Sequence, residues 1–106
     1  MRSAFVRWKP MPLFVLSCLD KPNNLDGRMA AREAHLAYVR ERMHTMKLGG
    51  PYLDEAGQMI GSLIIIEVED LAAAKAWSAS DPYVLNGVFQ SVDITPFKVT
   101  VGGVGG

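Results

Sequence analysis

Apolar residues fill Leu13 to Leu19, broken only by Ser17, and the turn-forming run Asp20-Lys21-Pro22-Asn23-Asn24 follows. A short β-prone run bounded by such residues predicts a first strand. From about Asp26 the pattern changes. Leu36, Val39, Met43 and Met46 recur at intervals of three and four, and Met29 and Arg32 extend that line backwards. This is the period of a helix with one apolar face. Gly49-Gly50-Pro51 is expected to end it, with His44 and Lys47 near its C-terminal end, where positive charge is favoured. Lys47 to Leu53 is expected to hold a second short strand, and Asp54-Glu55-Ala56-Gly57 a hairpin loop. Met59 to Val68, built around Leu63-Ile64-Ile65-Ile66, predicts the third strand. Asp70 is placed as the N-cap of an alanine-rich helix over Leu71 to Trp77. Val88 to Phe97 alternates, with Val88, Gln90, Val92 and Ile94 on one side and Phe89, Ser91, Asp93 and Thr95 on the other. That predicts a last strand with one wetter face.

The element order is βαββαβ, which matches the ferredoxin-like, or split βαβ, arrangement: an α+β fold with an antiparallel sheet and two helices on one face. The first and third strands are apolar at both parities, whereas the helices cover only one face. The other face is then an apolar patch of a kind soluble monomers rarely leave open. The expected cover is a second copy, giving a homodimer packed sheet against sheet. The alternative is a monomer covered by Phe5, Val6 and Trp8 of the N-terminal arm.

A chain of 106 residues fits one domain. Residues 1–11 read as an N-terminal extension, 12–99 as the domain and 100–106 as a flexible glycine-rich tail. An apolar share of 49% is that of a globular protein. Lys plus Arg equals Asp plus Glu at eleven each, so no basic excess points to nucleic acid. Leu13 to Leu19 is too short to span a membrane. Cys18 is the one cysteine, which excludes an internal disulfide and suits a reduced, cytoplasmic setting.

Few residues here carry proton chemistry. His35 and the Asp81-Pro82-Tyr83 element stand out, because an imidazole titrates near neutral pH and a carboxylate beside it can fix its tautomer. His35 is expected at the edge of the buried helix face, with Arg28 and Arg32 on roughly the same side to hold an anionic group. It reads as a general base or acid, or as a surface histidine bonded to a neighbour. Asp81 reads as its orienting partner, and equally as the N-cap of a short helical turn begun by Pro82; one carboxylate oxygen can cap while the other meets the imidazole. Ser62 either donates to a substrate oxygen or ends a turn. Tyr83 either closes a pocket or packs on a helix. Cys18, on a buried strand, reads as inert core. Two histidines in different places make no metal cluster, and Gly49-Gly50 lacks the ending of a phosphate loop.

Pro12-Leu13-Phe14-Val15-Leu16, Asp20-Lys21-Pro22, Arg32-Glu33-Ala34-His35-Leu36-Ala37-Tyr38, Gly50-Pro51, Gly57, Gly61-Ser62, Asp81-Pro82-Tyr83 and Gly87-Val88-Phe89 together resemble the YciI (YCII-related) family. The resemblance spans Pro12 to about Lys98. It implies a dimeric α+β barrel of ferredoxin-like protomers and an active site on a His–Asp pair, here His35 and Asp81. It further implies a small enzyme without cofactor, of isomerase or dehydrochlorinase type, acting on a small organic molecule. Arg32, Ser62 and Tyr83 are the expected substrate contacts. A non-catalytic binding module and a structural partner of another enzyme are the competing readings.

Overall fold

The computed structural model describes residues 11–103. The N-terminal extension before Met11 and the last three residues of the expected glycine tail lie outside them. Strand β1 (Leu13–Asp20) is followed by helix α1 (Leu25–Arg40), the hairpin β2 (Met46–Leu53) and β3 (Met59–Glu67), helix α2 (Leu71–Ala79), the single turn α3 (Pro82–Leu85) and β4 (Phe89–Phe97). The strands form one antiparallel sheet in the order β2-β3-β1-β4. This is the ferredoxin-like α+β arrangement, with α3 added before the last strand.

The hairpin fixes much of the rest. The Asp54 carboxylate accepts from the amides of Ala56 and Gln58, and Gly57 takes φ 86°, a backbone state that glycine enters without strain. To pair with β3 the chain must be extended by Met46, which lies opposite Ile66 past register shifts at Tyr52/Leu53 and at Met46/Leu48. That requirement explains where α1 stops. The periodic pattern runs on to Met46, but the helix ends at Arg40, and a short turn carries Met43 and His44 into solvent. Arg42 closes the helix by donating to the Tyr38 carbonyl. Gly49-Gly50-Pro51, expected as the helix stop, lies inside β2 instead. A proline fits there because β2 is an edge strand, with no strand on its outer side among the described residues.

The buried face of α1 also differs from expectation. It consists of Arg28, Ala31, His35 and Tyr38, one residue out of step with the line through Met29, Arg32, Leu36 and Val39. Met29 is exposed. His35 is therefore on the centre of the buried face and not at its edge.

The core fills the space between the helices and one sheet face. Phe14, Leu16 and Cys18 of β1, Ile64 and Ile66 of β3, and Val68 pack there against Tyr38, Ala74 and Trp77. Asp70 caps α2 as expected, its carboxylate accepting from the Ala73 amide. A bulge at Gln90 shifts the β1–β4 register, so that Asp20 pairs with Phe89. Phe89 is thereby turned to the helix side with Val92 and Ile94, not to the side of Ser91 and Asp93 as simple alternation implies. Gly61 allows β1 and β3 to approach closely: a Cβ there would collide with the Cys18 carbonyl oxygen and press on the Tyr52 ring. Gly61→Ala is expected to cost about 1–3 kcal/mol by overpacking, read as a lower urea midpoint. An unchanged midpoint would mean the two strands can part without penalty.

Candidate active site

The site is assembled by the misaligned face of α1. Its period of three and four brings Arg28 and His35 over the sheet, where α3 and β3 meet them. His35 Nδ1 lies 2.8 Å from Asp81 Oδ1, and both side chains are buried. The same Asp81 oxygen accepts from the Tyr83 amide at 2.9 Å, capping α3. Capping and pairing thus converge on one oxygen, where the sequence suggested one oxygen for each. An oxygen accepting from two sides fixes the imidazole tautomer, because Nδ1 must then carry the hydrogen. In the neutral ring Nε2 is left with its lone pair free.

Tyr83 lies flat on the imidazole, with centroids 4.0 Å apart and planes 12° from parallel. Phe89, turned inward by the bulge, meets the Tyr83 ring edge-on at 5.6 Å. The stack limits rotation of both rings. Burial pushes the Tyr83 phenol above its ordinary pKa against the lowering pull of Arg28 and Arg32, so Tyr83 is neutral at pH 7.

A second polar group stands beside the first. Arg28 grips Asp20 with both ends of its fork, Nε to Oδ2 at 2.7 Å and Nη2 to Oδ1 at 3.0 Å. Nη2 also donates to Ser62 Oγ at 2.7 Å. The Arg28 guanidinium carbon lies 4.7 Å from the Tyr83 ring centroid. Burial works against the arginine's charge, but the Asp20 carboxylate outweighs it and holds the guanidinium protonated.

A cavity of about 170 Å³ opens on these groups. Arg28, His35, Ser62 and Tyr83 form its polar wall; Leu36, Val39, Ile64 and Met59 form much of the apolar one. Gly49, on the helix side of β2, contributes no side chain and so leaves the hollow open toward the sheet edge. Arg32 is exposed on the cavity's border and has no acidic partner among the described residues. A larger hollow of about 310 Å³ between the Asp20–Asp26 turn and the hairpin contains neither His35 nor Asp81. Among the described residues no three His, Cys, Asp or Glu side chains gather as a metal site would need. Cys18 is buried and its thiol is pushed up to about 12, first by desolvation and then by Asp81, which keeps it protonated.

All five residues singled out in the sequence are therefore at or beside one cavity. Arg28, expected with Arg32 on the side of His35 to hold an anionic group, takes a more central place than Arg32. Asp20 was read as a turn residue and not as a site residue. The signal for Arg28 was the spacing Arg28, Ala31, His35, Tyr38, which is helical but hidden because three of its members are polar; nothing in the spacing marks Asp20.

Residues 12–98 match the YCII-related domain. The chain belongs to the YCII-related family. A Haemophilus influenzae protein is 40% identical over 94 residues, covering 80% of this chain and 95% of its own. Protein YciI of Escherichia coli is 37% identical over 94 residues, covering 81% and 96%. Among solved structures, this YCII-related chain is similar to the 5-chloro-2-hydroxyhydroquinone dehydrochlorinase TftG of Burkholderia phenoliruptrix, in complex with 2,5-dihydroxybenzoquinone. The TM-score is 0.78 at 28% identity, over 81% of this chain and 93% of that one. A Pseudomonas aeruginosa protein, 12% identical with a TM-score of 0.56, shares the fold. Among the described residues no helix is long and apolar enough to cross a membrane.

Proposed function

We propose that this YCII-related protein is a small cytoplasmic enzyme that moves a proton on a small organic substrate, in an isomerisation or in the elimination of a leaving group such as chloride. The observation that carries this is the 2.8 Å contact between Asp81 Oδ1 and Nδ1 of His35, a residue of the cavity wall. Nε2, the ring nitrogen Asp81 leaves unbound, takes the proton; Asp81 holds the ring's orientation and balances its charge once it is protonated. Tyr83 keeps the imidazole in plane. Ser62 and Arg32 meet the substrate. The sequence carries no cofactor-binding motif, and we assign none. Similarity to TftG, a dehydrochlorinase, supports the elimination branch. A screen of quinones, lactones and haloaromatic acids tests the reading. Turnover that disappears on changing His35 is expected; a ligand bound without any product would make the protein a binding module instead.

The same proposal makes the protein a homodimer. The sheet face away from the helices presents Leu13, Val15, Leu63 and Ile65, each only half-buried. Four strands of this length give a planar face of roughly 500 Å². Two such faces together reach about 1,000 Å², the lower bound for a specific interface. Ile65→Asp is expected to halve the mass measured by light scattering. A wild-type protein already at the mass of one chain would end the dimer proposal.

A further inference from the structure

We infer that Ser62, held by the Arg28–Asp20 pair, is the oxyanion donor of this site, and that the ligand is a carbonyl compound, or its ionised enol or phenol, bound through that oxygen. The inference rests on the His35 reading above. A hydroxyl has one proton and two lone pairs. A guanidinium can only donate, so the 2.7 Å contact from Arg28 Nη2 occupies a lone pair of Ser62 Oγ. The serine proton remains to be given elsewhere. Among the described residues no acceptor takes it, although Ser62 is 4% exposed. Ser62 and His35 line the same cavity. A donor left unused in so dry a place is costly, and a ligand oxygen relieves that cost.

The charge around the arm narrows the ligand further. Arg28, beside Ser62 on the cavity wall, polarises its hydroxyl, while Asp20 neutralises Arg28. What faces the cavity is a strong hydrogen-bond donor with little net charge. Such a donor accepts a neutral carbonyl oxygen and holds the negative charge that develops on it. A permanently anionic group belongs instead with Arg32 at the border, where the cation has no acid beside it.

A lone pair on Nε2 and a proton on Ser62 Oγ, set on one cavity, suit a C–H acid next to a carbonyl. The C–H bond breaks and its proton passes to Nε2. Its electron pair becomes a C=C bond, and the carbonyl π pair moves onto oxygen. The enolate oxygen then accepts from Ser62. Return of the proton to a different carbon gives an isomer. Departure of a leaving group from the adjacent carbon, taking its bonding pair, gives elimination. Electrons balance within the substrate in both cases.

The test uses 4-nitrophenol, a one-ring probe whose phenolate is a planar, delocalised oxyanion with its own absorbance. In the wild-type protein the bound probe should ionise at lower pH than the free one. Ser62→Ala should weaken phenolate binding roughly ten- to hundred-fold, the range for a hydrogen bond to a charged group. Ser62→Thr, which keeps the hydroxyl, should recover most of it. Circular dichroism checks that the variants fold; if Ser62→Ala does not, the wild-type ionisation shift decides. A probe that does not bind, one that binds as the neutral phenol, or a Ser62→Ala affinity within about two-fold of wild type would overturn the inference. The titration reads binding alone. Loss of turnover in a His35 variant that still binds phenolate, or the reverse in Ser62→Ala, tells the failure of one reading from the failure of the other.

Discussion

Arg28→Ala is expected to lower the unfolding free energy by about 3–5 kcal/mol, the cost of leaving one partner of a buried ion pair alone. The Asp20 side chain is 4% exposed and receives two hydrogen bonds from Arg28. Without the arginine its carboxylate loses both donors and stands as an unpaired charge at the end of β1. A double change, Arg28→Met with Asp20→Asn, removes both charges and should be less damaging than the single one, because the net worth of a buried pair is small compared with the cost of breaking it. Urea denaturation of the wild type and the two variants measures this directly. A single-variant loss below about 1 kcal/mol would place the pair in the cheap, solvated class of ion pairs and would remove the argument that Arg28 is a fixed part of the cavity wall.

The same pair shows how far the sequence could be read. The strands were legible because the sheet is built from β-branched and apolar runs with turn residues between them, as in Leu63-Ile64-Ile65-Ile66. The end of α1 was not, since the helical period of apolar residues continues past Arg40 while the demand that Met46 pair with Ile66 overrides it. Local periodicity loses to register when the hairpin pins the partner strand. The buried face of α1 was misread for a related reason. A pattern search weights apolar residues, and this face carries an arginine, a histidine and a tyrosine. Each is buried because a partner from another element meets it: Asp20 for Arg28, Asp81 for His35, the Trp77 carbonyl for Tyr38. Such satisfaction depends on the fold, so it leaves no trace in hydropathy. His35 and Asp81 were found all the same, because so few residues in this chain can exchange a proton. Phe89 was assigned to the wrong face because nothing in the alternation of β4 announces a bulge.

His35→Ala is expected to reduce any proton-transfer turnover about a hundred- to ten-thousand-fold, the usual share of a positioned acid–base group. The fold should survive, because Asp81 Oδ1 keeps the Tyr83 amide as donor. His35→Asn sharpens the test: its amide can still donate toward Asp81, yet it offers no basic nitrogen at the position of Nε2. It should be as inactive as the alanine variant. Asp81 allows its two duties to be separated. Asp81→Asn retains an oxygen able to cap α3 and to accept from Nδ1, so stability should change little, but it removes the negative charge that balances the imidazole once it is protonated. Turnover should then fall steeply in a protein that unfolds near the wild-type midpoint. Asp81→Ala loses the cap as well, at a further cost of about 0.5–2 kcal/mol. Measured side by side, turnover should track the charge of the carboxylate, and stability should track the cap. If Asp81→Asn instead kept full turnover, the carboxylate would be a helix cap alone, and the proton would have to be moved by another group.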